Sequence, residues 1–368
     1  MAARARLCVV LFILFGLLSP VSSQAQTTTL TVVDNESLPG GPGDVDFVPG
    51  QNDIVTMSFT TGEAVISRLN PDGTITVVGR IPAGPEPRAV AFAHGGELAV
   101  IANSIANELG VFEVGDDGML REINRVPSGG LNPYDVAVGF NDIVVVANRD
   151  SDQINTFHIN RRGRLTPLAV AVTGLDPHVV SVSSRGFVGV ANQTDRSVSL
   201  FELSRRGELI PLGPPIAMSI GGSNPPANMT PRTLSWQGRR LYVALDAPPG
   251  QDDVIRTLRV RRNGRVLQAG DVAAGAFLTD LEANEDGVFA VTVNRNNPAD
   301  PNDDRDEVRF YRRERTGLTL DAAVQTPGVP PSFKQIAARP GRRGIFRLLT
   351  TEFQGGWLRS LLYVPDEP

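Results

Sequence analysis

Three dipeptides place a basic side chain directly after a proline at equivalent points of a repeating pattern: Pro87-Arg88, Pro177-His178 and Pro231-Arg232. An arginine guanidinium binds a carboxylate through two parallel hydrogen bonds. An imidazole accepts or releases a proton near neutral pH. If the fold brings these side chains together, they form a pocket for a small anion, with His178 as the candidate catalytic residue and the two arginines as substrate ligands.

The pattern that contains these dipeptides recurs seven times, with a period of about forty-five residues. Its anchor positions are Pro42, Pro87, Pro133, Pro177, Pro231, Leu278 and Pro331. The residues that follow them are predicted to ring one opening: Gly43, Arg88, Tyr134, His178, Arg232, Thr279 and Ser332. Aspartates stand one position later at Asp44, Asp135 and Asp280. Tyr134, Asp135 and Asp280 therefore join the substrate-binding candidates, although pairing of the arginines with these aspartates is an alternative that only neutralises the channel.

Each repeat contains four segments with the pattern of β-strands, shown most clearly by the third. Asp135–Val138 alternates, Ile143–Ala147 is continuously apolar, and Gln153–Ile159 and Leu165–Leu168 follow across a polar loop and a tight turn. A continuously apolar strand needs cover on both faces, as it has where blades stack around an axis. The sequence therefore predicts an all-β, seven-bladed β-propeller with four-stranded antiparallel blades.

Closure of the ring is predicted from the two ends of the chain. After Trp357–Val364 no room remains for a fourth strand, whereas Thr28–Val33 belongs to no repeat. We expect the N-terminal strand to complete the last blade, which leaves few exposed sheet edges. Residues 26–368 then form a single domain.

The N-terminus has the pattern of a signal peptide. Arg4 and Arg6 precede the uncharged apolar run Leu7–Leu18, and Ser23-Gln24-Ala25 has the small-x-small form of a cleavage site. Residues 1–25 are predicted to be removed on export, which makes the mature protein secreted or periplasmic. No later stretch is long and apolar enough for a membrane helix, so we expect no membrane insertion after cleavage.

The amino-acid composition limits the kinds of partner that the protein is expected to bind. The formal net charge is −5 and 41% of residues are hydrophobic. Loss of Arg4 and Arg6 makes the mature chain more acidic, which argues against nucleic acid as a partner. The single cysteine, Cys8, lies in the signal segment, so cysteine chemistry is excluded from the mature protein.

One loop carries oxygen ligands at alternate positions: Asp300, Asn302, Asp304 and Asp306. Such spacing occurs in calcium loops. However, Arg305 stands where a calcium loop needs glycine, and Tyr311 stands where a glutamate closes it. A solvated insertion is the favoured interpretation, with calcium as the alternative. No other cofactor is predicted.

Asparagines end several of the second strands and are expected to surround the polar ring: Asn103, Asn148, Asn192 and Asn294, with Asp246 in the fifth repeat. An amide at the end of a buried strand satisfies loop backbone groups that would otherwise lack partners. Repetition in most blades is typical of a packing rule rather than of a single active site.

The phrases Val100–Asn103, Val145–Asn148 and Gly189–Asn192 resemble the Tyr-Val-Thr-Asn repeat signature. Together with the proline anchors, over about Pro42 to Val364, they resemble the lactonase family of seven-bladed propellers. That family includes 6-phosphogluconolactonase and carboxymuconate-cyclising enzymes. The resemblance implies a histidine and arginines acting on a lactone at the channel mouth, with a glutamate nearby. The Pro-His-x-His phrase of the family is missing, since Asn132–Asp135 stands in its place, and catalysis is left open.

Two functions follow as hypotheses. The first is an exported lactonase-like propeller that hydrolyses or binds a small anionic lactone or sugar acid at the channel mouth. The alternative is a non-catalytic extracellular propeller whose loops recognise a polymer or a protein, because loops vary freely on a rigid ring.

Overall fold

A computed structural model describes residues 28–38, 40–220, 227–248, 251–275, 277–292, 305–315, 317–327, 335–341, 345–353 and 356–365. The predicted signal segment, residues 1–25, and its cleavage site lie outside the described residues. Within those residues, no helix has both the length and the apolar character needed to cross a bilayer.

The chain folds into consecutive four-stranded antiparallel sheets, each running from an inner to an outer strand. Blade 1 contains β2 (Pro42–Phe47), β3 (Asp53–Ser58), β4 (Glu63–Leu69) and β5 (Ile75–Pro82). Blade 2 contains β6 (Pro87–Ala93), β7 (Leu98–Asn103), β8 (Glu108–Val114) and β9 (Leu120–Pro127). Blade 3 contains β10 (Pro133–Val138), β11 (Ile143–Asn148), β12 (Gln153–Ile159) and β13 (Leu165–Val172). Short 3₁₀ turns occupy His94–Gly96, Phe140–Asp142 and Arg149–Ser151.

Blade 4 is less regular at its outer edge. Its strands are β14 (Pro177–Val182), β15 (Phe187–Asn192), β16 (Ser197–Leu203) and the short β17 (Leu209–Pro211) and β18 (Ile216–Ala217), which both pair with β16. A two-stranded hairpin of β19 (Ser219–Ile220) and β20 (Ala227–Asn228) leads into blade 5. Blade 5 contains β21 (Thr230–Gln237), β22 (Arg240–Asp246), β23 (Asp253–Val260) and β24 (Val266–Gly275).

Blade 6 contains β25 (Leu278–Ala283), β26 (Gly287–Thr292), β27 (Arg305–Arg313) and β28 (Leu318–Pro327). Blade 7 contains β29 (Ile336–Pro340), β30 (Phe346–Glu352), β31 (Trp357–Val364) and, as its outermost strand, β1 (Thr29–Ser37). Strand β1 pairs antiparallel with β31, from Thr29 opposite Val364 to Ser37 opposite Trp357. The predicted closure by the N-terminal strand is therefore confirmed.

The hydrophobic core is divided into layers that join neighbouring blades. One cluster packs Val100 and Val111 of blade 2 against Val144 and Val146 of blade 3. The next packs Val145 of blade 3 among side chains of blade 4. Corresponding clusters join the remaining neighbours, including blade 6 to blade 7 and blade 7 to blade 1. Because second strands β3, β7, β11, β15 and β26 are buried at every residue, no blade could bury its apolar surface alone. The predicted seven-bladed propeller is confirmed.

The seventh repeat departs from the predicted register. The register is shown by a hydrogen bond that recurs between neighbouring blades. An aspartate of blade 1, 3 or 6 accepts the backbone N–H of an inner-strand residue of the following blade: Val90, Val180 or Ile336. Val90 and Val180 stand three positions after their anchors, whereas Ile336 stands five after Pro331. Ile336 therefore stands two residues later in the seventh repeat than the predicted anchor requires. Pro331 and Ser332 themselves lie outside the described residues.

Candidate active site

The innermost strands of the blades line a cavity of about 810 Å³ that extends along the central channel, and the residues after the anchors lie at one mouth of it. It brings together all six predicted catalytic and substrate-binding residues: Arg88, Tyr134, Asp135, His178, Arg232 and Asp280. Gly43, Asp44 and Thr279, which were also predicted at the mouth, line it as well. Arg88 and Asp280 are 192 positions apart in sequence, and they line the same cavity because the blades contribute equivalent points of their inner strands.

A β-bulge at the start of the inner strand in blades 2 to 6 explains why the residue after the anchor reaches this cavity. In blade 3, Pro133 pairs with Asn148 and Asp135 pairs with Ala147, so Tyr134 is the extra, unpaired residue. The same shift isolates Arg88, His178, Arg232 and Thr279. A bulge bends the strand and redirects a side chain. The repeat therefore builds a position for site residues in most blades.

His178 is held beside a carboxylate that is also held by an arginine. Its Nδ1 lies 3.6 Å from Asp176 Oδ1, and the Nε of Arg149 donates to the same oxygen at 2.7 Å. Burial alone raises the pKa of Asp176, but the His178 and Arg149 interactions outweigh burial and lower that pKa to about 2. Burial lowers the pKa of His178 more than Asp176 raises it. The neutral form of the ring is therefore favoured at pH 7. Its Nδ1 is buried and forms no hydrogen bond within the described residues.

A row of stacked planar groups extends from His178 around the mouth. The Tyr134 ring lies 3.8 Å from the His178 ring, centroid to centroid. The Arg88 guanidinium lies between Tyr134 and Phe59, with its Cζ 4.6 Å and 3.9 Å from the two ring centroids. Phe353 meets Phe59 edge-on at 5.9 Å. This row, which we call the mouth stack, joins five consecutive blades and fixes the orientation of Arg88 and His178.

The arginines pair with carboxylates other than the aspartates proposed from the sequence. The NH2 group of Arg88 donates to Glu86 at 3.2 Å and its NH1 group donates to the Tyr134 hydroxyl at 3.3 Å. Arg232 donates through Nε to Asp246 at 2.9 Å, and its NH2 group contacts the same oxygen. The alternative in which Asp44, Asp135 or Asp280 neutralises these arginines is therefore wrong. The Nε of Arg88 is buried and has no hydrogen-bond partner in the described part of the chain.

Asp44, Asp135 and Asp280 line the cavity, but their carboxylates link blades. Each accepts a backbone N–H of the following blade, from Val90, Val180 and Ile336, at 2.8, 2.8 and 2.9 Å. Asp135 and Asp280 also accept the N–H of the next residue in their own strands. Their lone pairs are thus committed to backbone donors, which favours a structural role over the predicted contact with substrate.

The channel interior concentrates buried carboxyl groups. Burial is the first cause of raised pKa values of about 6 for Asp44, 7 for Asp46, 8 for Asp135, 7 for Asp280 and 8 for Glu282. Repulsion between neighbouring carboxylates adds to the increase for Asp46, Asp135 and Glu282. Several of these groups are therefore protonated near neutral pH.

These carboxyl groups make stability depend on pH. A carboxyl with a higher pKa in the folded state than in the unfolded state favours folding when protonated, and this contribution disappears as pH rises through the folded pKa. We expect the free energy of unfolding to fall between pH 5 and pH 9. Glu282→Gln should flatten this slope and stabilise the protein at pH 9 by on the order of 2 kcal/mol. Denaturant titrations at several pH values measure both effects. Glu202→Gln changes an exposed glutamate and should leave the slope unchanged. If Glu282→Gln has the same slope as the wild type, the raised pKa of Glu282 does not contribute to the pH dependence of stability.

Asn103, Asn148 and Asn192, at the ends of second strands, are buried, but the predicted bonds to loop backbone are not formed, and the Asn103 amide has no hydrogen-bond partner among the described residues. The Asn148 side chain donates to Asn155 Oδ1 at 3.1 Å. The Asn192 side chain donates to the hydroxyls of Ser197 and Ser199. These partners are side chains of the third strand rather than loop backbone groups. The packing interpretation therefore holds for these two residues with a different partner; Asn294 lies outside the described residues.

The other two histidines lie away from the cavity. His158 is exposed on β12. His94, by contrast, is largely buried, since its side chain is only 10% exposed. Its Nδ1 pairs with Asp142 at 2.9 Å, and its Nε2 lies 3.1 Å from the Ile159 carbonyl oxygen. His94 thus ties blade 2 to blade 3.

Three of the candidate calcium ligands, Asp300, Asn302 and Asp304, lie outside the described residues. Asp306 does not belong to a loop: it is a buried residue of β27, paired with Thr326 of β28. A strand position cannot serve as the flexible loop ligand that the spacing suggested. In the described ranges, no cluster of three acidic, histidine or cysteine side chains has the arrangement of a metal site.

Sequence reasoning missed Arg149, Gln193, Phe59, Phe277 and Phe353, all of which line the cavity. Arg149, Gln193, Phe59 and Phe353 follow the second strands of their blades, where loops open on the mouth. They could have been found from the sequence by examining the residue that directly follows the apolar second strand of each repeat. Phe277 precedes an anchor and carries no polar group to draw notice.

These observations define the protein as a seven-bladed β-propeller with a polar and aromatic cavity at one mouth of its channel. Residues 66–182 match the family described as "Lactonase, 7-bladed beta-propeller", so the resemblance to lactonases is confirmed over that segment. No curated protein sequence matches the chain.

Solved structures share the fold at low sequence identity. A periplasmic gluconolactonase of Pseudomonas aeruginosa is 16% identical, with a TM-score of 0.63 over 78% of this chain and 86% of that one. A protein from Lactobacillus plantarum is 15% identical, with a TM-score of 0.63 over 77% and 88% of the two chains. The virginiamycin B lyase of Staphylococcus aureus is 12% identical, with a TM-score of 0.58 over 92% and 100%. These likenesses concern the fold alone.

Proposed function

We propose that the cavity binds a small lactone and opens its ring by hydrolysis, with His178 as general base. The observation that carries this proposal is the neutral imidazole of His178, held by Asp176 in the same cavity as Arg88, Arg149 and Arg232. A base that is unprotonated at neutral pH and fixed in orientation can take a proton from an attacking water.

The reaction follows from these groups. Water adds to the ring carbonyl carbon and gives one proton to His178 Nε2. An arginine N–H donates to the carbonyl oxygen while negative charge develops there. The ring C–O bond then breaks, and the departing ring oxygen takes the proton back from His178. The product is a hydroxy acid whose carboxyl group loses the second proton of the water to solvent, so that a carboxylate faces the arginines, and the imidazole is neutral again.

The arginines are suited to a carboxylate or a carbonyl because each keeps donors that the protein does not use. Arg232 commits Nε and one terminal nitrogen to Asp246. The buried Nε of Arg88 lacks a partner among the described residues. A ligand that supplies an acceptor there removes the unfavourable burial of an unsatisfied donor.

Arg232→Gln is expected to raise KM for a hydrolysed lactone by about tenfold or more, since a hydrogen bond to a charged group is lost. Proton release from a panel of lactones, measured with purified residues 26–368, provides the assay. Arg206→Gln, which removes an exposed arginine from a turn of blade 4, is the matched control and should leave KM unchanged. Binding of a polymer or a protein without ring opening of any lactone would instead support the non-catalytic display propeller.

The proposed substrate reaches the protein outside the cytoplasm. The signal pattern of residues 1–25 supports export to the periplasm or the medium. Mass determination of the protein recovered from the extracytoplasmic fraction should give a chain that begins at Gln26. Recovery of the full-length chain from the cytoplasm would contradict export.

A further inference from the structure

One side of the cavity carries three phenylalanines. Phe277 of blade 6, Phe353 of blade 7 and Phe59 of blade 1 all line it, and they come from three consecutive blades. The arginines, Tyr134 and His178 come from blades 2 to 5, whereas Asp44, Thr279 and Asp280 line the cavity in the same blades as the phenylalanines. Each of the three phenylalanines is only partly buried, so apolar surface faces the cavity. We call these residues the aromatic wall.

One residue of the aromatic wall, Phe277, has a strained backbone conformation. The residue that precedes the anchor has a left-handed backbone in five blades, at Gly41, Glu86, Asn132, Asp176 and Phe277. Glycine and asparagine adopt this conformation readily, and Glu86 and Asp176 use it to hold Arg88 and His178. Phe277, with φ of 54°, is a bulky residue in a conformation that bulky residues disfavour. Such outliers persist chiefly where they serve a site.

The charges of the mouth disfavour a strongly anionic ligand. Arg88, Arg149 and Arg232 each have a carboxylate partner, in Glu86, Asp176 and Asp246 respectively. The arginines therefore offer directional donors but no surplus of positive charge. A phosphate ester carries nearly two negative charges and needs that surplus, whereas a single carboxylate or a neutral lactone does not.

We infer that the ligand is a lactone with an apolar substituent, such as a phenyl ring or a short alkyl chain, that packs on the aromatic wall while the lactone and any carboxylate face the arginines and His178. This inference deepens the proposed function and rests on it. It distinguishes the cavity from one that takes a phosphorylated sugar lactone. Burial of the substituent against Phe277 and Phe353 supplies the affinity, and the mouth stack supplies the orientation.

The test compares three ring-opened acids, which bind without turnover, by calorimetric titration: a phenyl-substituted hydroxypentanoate, the unsubstituted hydroxypentanoate and phosphogluconate. The phenyl compound is expected to bind about tenfold tighter than the unsubstituted acid. Phe277→Asn should abolish this preference because it removes the apolar face. Asparagine tolerates the left-handed backbone, so the unfolding midpoint of this variant should stay the same or rise. Val172→Asn, an exposed apolar position on β13, is the matched control and should keep the preference.

Equal binding of the phenyl and unsubstituted acids, tightest binding of phosphogluconate, or a preference retained by Phe277→Asn would overturn the inference. In each of these cases Arg232→Gln still weakens the acids that bind, so the proposed site survives. Failure of all three acids to bind, with no lactone hydrolysed, would remove the proposed function itself.

Discussion

Replacement of His178 by glutamine is expected to lower kcat for lactone opening by about 10²- to 10⁴-fold, the usual contribution of a positioned general base. Glutamine is close to histidine in size and can donate to Asp176, so the Arg149–Asp176 contact should persist. It cannot accept a proton from water. Stopped-flow or steady-state proton release measures the loss, and the unfolding midpoint should remain near that of the wild type.

The same substitution has a matched control and a pH signature. His158→Gln changes an exposed histidine of β12 and should leave kcat unchanged. In the wild type, kcat should fall only at a pH below the ordinary histidine range, because burial lowers the pKa of His178. Glutamine at position 178 should remove this fall of kcat at low pH. Full turnover in His178→Gln would eliminate the base from the mechanism.

Loss of the buried ion pair of the closing blade is expected to cause the largest loss of stability. Arg359 of β31 is 2% exposed and its NH2 group lies 2.7 Å from Glu352 of β30, which is fully buried. The Nε of Arg359 also donates to Asn35 of β1 at 2.7 Å, so this side chain joins the N-terminal strand to the C-terminal ones. Arg359→Met should lower the free energy of unfolding by about 3–5 kcal/mol, since it leaves a buried carboxylate without its cation.

Two comparisons separate this effect from a general effect of losing charge. Arg121→Met breaks the pair of Arg121 with Asp117, in which both side chains are 53% exposed, and should leave the denaturation midpoint nearly unchanged because solvent screens the pair. Adding Glu352→Leu to Arg359→Met should restore much of the loss, because the buried negative charge is removed together with its cation. Equal denaturation midpoints for Arg359→Met and Arg121→Met would show that closure does not depend on the buried pair.

The sequence predicted the ring and the opening because both follow from periodicity. A repeated anchor followed by a bulged residue places Arg88, His178 and Arg232 at equivalent points of their blades. Because the blades are arranged around one axis, these equivalent points lie at the same mouth of the channel. Closure by Thr29–Ser37 followed from a count of strands. These features depend on regular local patterns, which sequence shows directly.

The rest of the site depends on side chains that the anchors do not mark. Arg149, Phe59 and Phe353 each directly follow a second strand, but the residue type at this position differs among blades, so only the fold shows which of them line the cavity. The partners Asp176 and Asp246 were not predicted because they are chosen by side-chain geometry. The register of the seventh repeat was missed because the spacing from Leu278 to Pro331 does not show which residue begins the innermost strand.

Binding of the lactone in the mouth cavity is tested most directly by calorimetric titration. An intact phenyl-substituted lactone is titrated into His178→Gln protein, in which slow turnover permits equilibrium binding. We expect one site per chain and at least about tenfold weaker binding when Arg232→Gln is added. Affinity that is the same with and without Arg232 would place the ligand elsewhere on the propeller and contradict the account.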